Sequence, residues 1–411
     1  MAYTRYSRRD NKGRVLNRRE SQCKDLKYRY QYTDSRGVRR SIYAKTLSDL
    51  REREKQLIRD QLDGIDSYCA GNSTLNYVFD RYIQSKTNLK PNTKVNYEYM
   101  YDRYVRDTFG KKIISKIRYS DVKSFYKHLI YDSGLRANTV DTIHTLLHPA
   151  FQMAVRDEII RINPSDGVMG EIKKSMGKNK GVRHALTLDQ QRAFLDYTKN
   201  SFTYCHWYPL MVVLFGTGCR ISEVVGLRWE DVDYENRLIS INHSVVFIGH
   251  RKYSDCYVST PKTESGTRII PMMDAVYDAL HQEFEYQELG GFNTDEVDGM
   301  AGFIFRNRDG KLLKPTLVNR AIKRIYEEYN SEEIIKAHKE HREPLILPHF
   351  SCHHIRHTFC TRICENETNL KVIQSVMGHA NIETTMDIYA EATDQKKKEA
   401  LFELEQNNKI F

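Results

Sequence analysis

Along the 411-residue chain the rhythm of apolar and polar positions changes character twice. In "KYRYQYTDSRGVRRSIYA" (27–44) it alternates, with Tyr28, Tyr30 and Tyr32 on one face and Lys27, Arg29 and Gln31 on the other. Period-2 alternation interrupted by the turn signal DSRG predicts a β-hairpin. Leu50, Leu57, Ile58 and Leu62 then fall at helical spacing, so a helix over 48–62 is expected to cap the small sheet. From Thr74 to about Val168 the spacing is three and four throughout. Helices are expected at 75–86, 93–108, 120–132 and 137–160, with breaks at NLKPN, FGKK, DSGLR and RINPSDGV. After 184 the pattern is mixed: helices at 187–200, 204–216 and 220–228, strands between Arg237 and Pro271, then helices again. Small polar residues around 66–76 and a lysine- and glycine-rich run over 170–184 read as linkers. The fold class is therefore multidomain α+β. A small N-terminal β-sheet domain (1–64) precedes a helical bundle (74–169) and a mainly α domain with a small β-sheet (184–411).

Charge sharpens this division. Residues 1–60 hold 18 Lys and Arg against 8 Asp and Glu, which accounts for the whole net charge of +10; the remainder carries 46 of each sign. A basic excess confined to one sheet points to a polyanionic partner, and a two- or three-stranded ribbon of this kind fits a DNA major groove. No run of about 18 apolar residues and no apolar leader are present, so neither a membrane span nor a signal peptide is expected. Eight dispersed cysteines without a CxxC pair suit a reducing cytoplasm.

Candidate chemistry lies in the last domain. In "LFGTGCRISEVVGLRW" a glycine turn stops one helix and Arg220 opens the next, where free backbone N–H groups and a guanidinium can hold an anion. In "CHHIRHTF", His353 and Arg356 share a helical face and can bind one phosphate and move one proton. A metal alternative exists there, because His353, His357, Cys360 and Cys364 follow one another at helical spacing; structural zinc sites, however, usually take ligand pairs from separate elements. Lys262 precedes the TESGT turn of a hairpin and can swing into a cleft. Tyr389 closes "MGHANIETTMDIY", and its phenol, with an ordinary pKa of about 10, needs neighbouring cations and a histidine to act as a nucleophile. Each feature alone is common on protein surfaces.

Together and in this order, across about 170 residues, they resemble the tyrosine recombinase (phage integrase) family. The stretch "SRRDNKGRVLNRRESQCKDLKYRYQYTD" is similar, more narrowly, to integrases of conjugative transposons. The resemblance implies an arm-type DNA-binding domain at 1–64, a core-binding domain at 74–169 and a catalytic domain at 184–411. It implies that Arg220 and Arg356 clamp the scissile phosphate, that Lys262 protonates the departing 5′-hydroxyl and that His353 takes part in proton transfer. By the same resemblance His379 bonds a phosphate oxygen, Glu223 orients, and Tyr389 forms a 3′-phosphotyrosyl ester. His354 stands where many relatives carry an aspartate. No cofactor or metal is expected. The implied partners are double-stranded DNA at core and arm attachment sites, three further copies of the chain in a DNA-bound homotetramer, an excisionase and a host DNA-bending protein. The C-terminal "DQKKKEALFELEQNNKIF" is expected to form a helix that packs on a neighbouring protomer. Two rival readings share parts of this signature: a type IB topoisomerase-like nicking-closing enzyme, and a non-catalytic DNA-binding regulator.

Overall fold

Tyr28, Tyr30 and Tyr32 are all buried, and the basic partners between them are not, as the alternation requires. The computed structural model describes residues 8–33, 38–62, 73–175, 185–249, 256–260, 266–367 and, apart from 368, 380, 384 and 387, residues 369–389. Lys262, the DSRG turn at 34–37 and the expected C-terminal helix lie outside the described residues. The chain divides into two compact units, Met1–Lys180 and Gly181–Phe411.

The first unit opens with an antiparallel sheet of β1 (Glu20–Gln22), β2 (Tyr28–Thr33) and β3 (Arg39–Ala44), in that order. Helix α1 (Leu47–Leu62) closes it, with Leu47, Leu50 and Leu57 packed on the tyrosines. Ile58 departs from the expected stripe and is exposed, because it lies about 100° around the helix from Leu57. Within this sheet Glu20 is wholly buried and accepts two bonds from Arg51, at 3.1 and 3.2 Å.

A separate core forms beyond it from α2 (Leu75–Ser85), α3 (Pro91–Tyr101), α4 (Tyr119–Tyr131) and α5 (Ala137–Arg156). Thr74 caps α2 by accepting from the Tyr77 amide, and Pro91 opens α3, where its missing N–H costs nothing. The run at 170–184 is not a linker throughout. Val168–Ser175 is a helix, α6, because Val168, Met169 and Ile172 bury one side of it in the bundle core while Lys173 and Lys174 stay outside.

In the second unit α7 (Leu188–Asn200) starts at a reciprocal cap between Thr187 and Gln190. Helix α8 (Tyr208–Thr217) is apolar on every side and buried from Pro209 to Phe215, which makes it the central post of this core. Each fully buried Leu, Val or Phe there contributes roughly 1.5–3 kcal/mol. Short helix α9 (Ile221–Gly226) leads to β4 (Val232–Asp233), β5 (Leu238–Ile241), β6 (Ser244–Phe247), β7 (Cys256–Ser259) and β8 (Arg268–Pro271). β4, β5 and β8 form one antiparallel sheet, with Ile241 opposite Arg268, while β6 and β7 pair as a hairpin. Helices α10 (Asp274–Gly290), α11 (Pro315–Lys339), α12 (Cys352–Asn366) and α13 (Leu370–Met377) complete the unit.

One carboxyl in this unit sits in the wrong medium for its charge. Desolvation pushes Glu283 on α10 from 4.5 up to about 6, against the hydrogen bond from Gln287 and the charge of Arg306. A raised folded value means its stabilising contribution is complete below pH 4.5 and is lost as pH rises through 6. Glu283→Gln keeps the acceptor that Gln287 bonds at 2.7 Å but not the charge. Urea melts should show the variant more stable at pH 8, by up to about 2 kcal/mol, and no more stable at pH 4.

Candidate active site

Three helix ends and one strand meet around a single buried carboxylate. Helix α8 stops at Gly218, whose φ of 61° is left-handed and whose missing Cβ leaves room for Phe359; a methyl group there would lie 2.0 Å from the ring. Two residues on, Arg220 caps α9 and places Glu223 one turn inside it. The Glu223 carboxylate accepts from the Arg220 backbone N–H at 2.9 Å and from Arg220 Nη1 at 2.7 Å. It also accepts from Arg268 Nη2 at 2.8 Å and Nη1 at 3.4 Å. Burial works to raise the pKa of Glu223, yet the bonds and charge of Arg268, then of Arg220, hold it below the ordinary carboxylate value.

The other ends of these arginines hold the last helix before the tyrosine. Arg268 Nε donates to the Val376 carbonyl at 2.9 Å, Arg356 Nη2 donates to Met377, and Arg220 Nη2 donates to Gly378 at 3.0 Å. Three guanidiniums thus take three consecutive carbonyls at the C-terminus of α13, where the helix dipole is negative and the oxygens have no helical partner. Arg356 also bonds the Gly218 carbonyl at 2.8 Å, so it joins the ends of α8 and α13. Gly378, at φ 61°, turns the chain; a Cβ on it would stand 2.8 Å from Arg268 Nη1.

The result is a pocket in which three guanidiniums face one carboxylate, leaving two positive charges. Arg356 is 5% exposed, and burial, with repulsion from Arg220, lowers its pKa to about 10, which still leaves it charged at neutral pH. The Arg220 side chain is 43% exposed. Among the described residues, each of these two arginines donates two hydrogen bonds to the protein out of its five N–H groups. His379 is buried, with Nδ1 2.9 Å from the Thr385 hydroxyl. Burial, then the charges of Arg356, Arg220 and Arg268, lower its pKa to about 4, so it is neutral at pH 7.

Of the expected site residues, Arg220, Arg356 and His379 come together here. His353 lies exposed on the first turn of α12, three residues before Arg356 on the same side of the helix. Tyr389 is half-buried and packs on a cluster of Phe359, Cys360, Cys364, Ile373 and Met377. His354 takes up the work an aspartate could do at this helix start, its Nδ1 accepting from the Ser351 amide at 3.3 Å. The zinc alternative finds no support: Cys360 is fully buried and hydrogen-bonded to Cys364, while His353 faces outward. No cluster of three or more metal-ligating side chains occurs among the described residues. Arg268 was not foreseen from sequence. Its signal is the strand alternation, which puts it on the inward face with Ile270 while Ile269 is exposed.

Comparison with known proteins places the whole chain in a family. Residues 184–396 match the model of the phage integrase family, 4–61 that of the DNA-binding domain of Tn916 integrase, and 74–130 that of the phage integrase N-terminal SAM-like domain. The chain is 31% identical over 399 residues to the transposases of transposon Tn916 from Enterococcus faecalis and Tn1545 from Streptococcus pneumoniae, covering 94% of this chain and of each relative. A solved structure of the Tn1549 transposon integrase in complex with a circular-intermediate DNA superposes with a TM-score of 0.68 at 29% identity, covering 80% of this chain and 99% of that one. The fold is that of the tyrosine recombinases, which are DNA strand transferases. The chain belongs to the phage integrase family, and within it is a site-specific transposon integrase. No described helix is long and apolar enough to cross a membrane.

Proposed function

We propose that Arg220 and Arg356 hold the scissile phosphate of an attachment-site duplex while Tyr389 attacks it. The Tyr389 oxygen forms a bond to phosphorus and the P–O5′ bond breaks, giving a 3′-phosphotyrosyl ester. Lys262 gives the departing 5′-oxygen its proton, and His353 receives the phenolic proton. His379, neutral at pH 7, bonds a non-bridging oxygen of the phosphate. The ester stores the energy of the broken bond, so a 5′-hydroxyl from a partner strand can reverse the step with new connectivity. Two such rounds through a four-way junction need four protomers, and integration and excision follow from the same chemistry. Residues 1–64 bind arm-type sites, 74–169 bind core sites and 184–411 cut them, in the cytoplasm. An excisionase and a host DNA-bending protein set the direction.

The observation that carries this reading is the convergence of Arg220 and Arg356 on the carbonyls of the helix that leads to Tyr389. Two uncompensated positive charges, one of them buried, stabilise the pentavalent transition state as a divalent ion does in other phosphoryl-transfer enzymes. Covalent complex on a nicked core-site duplex should therefore form at full rate in excess EDTA. Loss of the complex under EDTA and its return with magnesium would refute the assignment.

A further inference from the structure

We propose that Arg268 is a positioning residue of the strand-transfer reaction, holding Glu223 and the Val376 carbonyl together so that Arg220 and His379 meet the phosphate in register. The inference rests on the assignment of Arg220 and His379 to the phosphate. Arg268 cannot itself touch DNA, since its side chain is 4% exposed. Its contacts span what the reaction must keep aligned. One guanidinium reaches Glu223 on α9 at 2.8 Å, the Val376 carbonyl on α13 at 2.9 Å and the Cys219 sulfur at 3.4 Å. The strand behind it is fixed by pairing with β5, where Arg268 stands opposite Ile241. β8 is thereby the rigid member against which two helix ends are set.

Charge gives the same answer. Glu223 is shared between Arg220 and Arg268, so it neutralises neither fully, and the pocket keeps its positive excess. Without Arg268, the carboxylate would turn wholly to Arg220 and compete with the phosphate for its N–H groups. His379 is surrounded by Arg220 and Glu223 from α9, Arg268 from β8 and Arg356 from α12, with Thr385 on its ring nitrogen. Burial is the first reason its imidazole is neutral, and removing one of those three cations relaxes the repulsion that adds to it. Gly378 gives a second handle: a Cβ there would meet Arg268 Nη1 at 2.8 Å and Cδ at 3.2 Å without removing any charge.

The test uses the full chain and single-turnover adduct formation on a nicked core-site duplex, with duplex affinity measured separately. Arg268→Met should slow the maximal rate on the order of 10²-fold, as small misplacements of reacting groups do, with affinity changed less than about threefold. Its rate should also fall off at higher pH than in wild type, because His379 protonates sooner. Arg268→Lys should restore that acid limb but not the full rate, since an ammonium cannot span both partners. Glu223→Gln with Arg268→Met removes the buried carboxylate together with its buried partner, keeps the net charge of the pocket, and should melt closer to wild type than Arg268→Met alone yet stay slow. The inference is overturned if Arg268→Met cleaves within twofold of wild type. It is equally overturned if the double variant recovers the wild-type rate, or if rate and affinity fall together with the acid limb unmoved. Failure of the underlying assignment shows differently: Arg220→Ala and His379→Ala would then form adduct at the wild-type rate, whatever Arg268 does.

Discussion

Tyr389→Phe should bind duplex DNA like wild type and form no covalent adduct, a loss on the order of 10⁴-fold or more, as expected when a nucleophile is removed. The substitution deletes one oxygen and keeps the ring that packs on Phe359, Cys360, Cys364, Ile373 and Met377, so the local cluster survives. Tyr234→Phe is the natural control. Its hydroxyl is buried and finds no hydrogen-bond partner among the described residues, so its removal should leave activity unchanged and stability equal or slightly higher. A suicide duplex whose short 5′ fragment diffuses away traps the adduct on a denaturing gel. A shifted band in Tyr389→Phe would move the nucleophile elsewhere in the chain.

Arg356→Lys should cost about 10²–10³-fold in cleavage, the range seen when one preorganised donor to a developing oxyanion is lost. The guanidinium spans the Gly218 and Met377 carbonyls and still has donors to spare; an ammonium has no planar fork and cannot do both. Protonation adds a signature. Burial already lowers the pKa of Arg356 to about 10, and a lysine starts roughly two units lower than arginine. The same burial should bring the ammonium close to losing its proton near neutrality. Residual activity of the variant should therefore climb as pH falls from about 9 to 7, where wild type, still charged, should not follow it. A flat profile in the variant would show that the site tolerates a lysine as a fixed charge. Thermal melts run alongside separate this from a loss of fold.

Much of this architecture was legible in the order of residues. The four bundle helices at 75–86, 93–108, 120–132 and 137–160 needed only a period near 3.6 and clear breaks; three lie within four residues of those bounds, while α3 ends at Tyr101 and passes into a π-helical turn over Asp102–Arg106. Helix α6 escaped because its three buried residues, Val168, Met169 and Ile172, are embedded among lysines and glycines in only eight positions. At the site, Arg220, Arg356 and His379 stood out through the glycines and histidines around them. Arg268 did not, since an arginine ahead of "IIP" looks like any strand end. Which face of that strand is buried is decided by its pairing with β5, and pairing is a long-range fact. The bonds to Val376, Met377 and Gly378 were invisible for a deeper reason: every residue except the chain's last carries the same carbonyl, so side-chain identity holds no trace of them.

That anonymity has a consequence for how the gene can change. Three arginines read residues 376–378 by position and not by spelling. Beyond the packing demands on Met377 and the turn at Gly378, point substitutions in this stretch leave the oxygens where they are. Insertion or loss of a single codon slides all three out of reach at once and carries the downstream tyrosine with them. Selection on this segment therefore acts on reading length, and the mutations it must purge are slips of the copying machinery more than its miscopied letters.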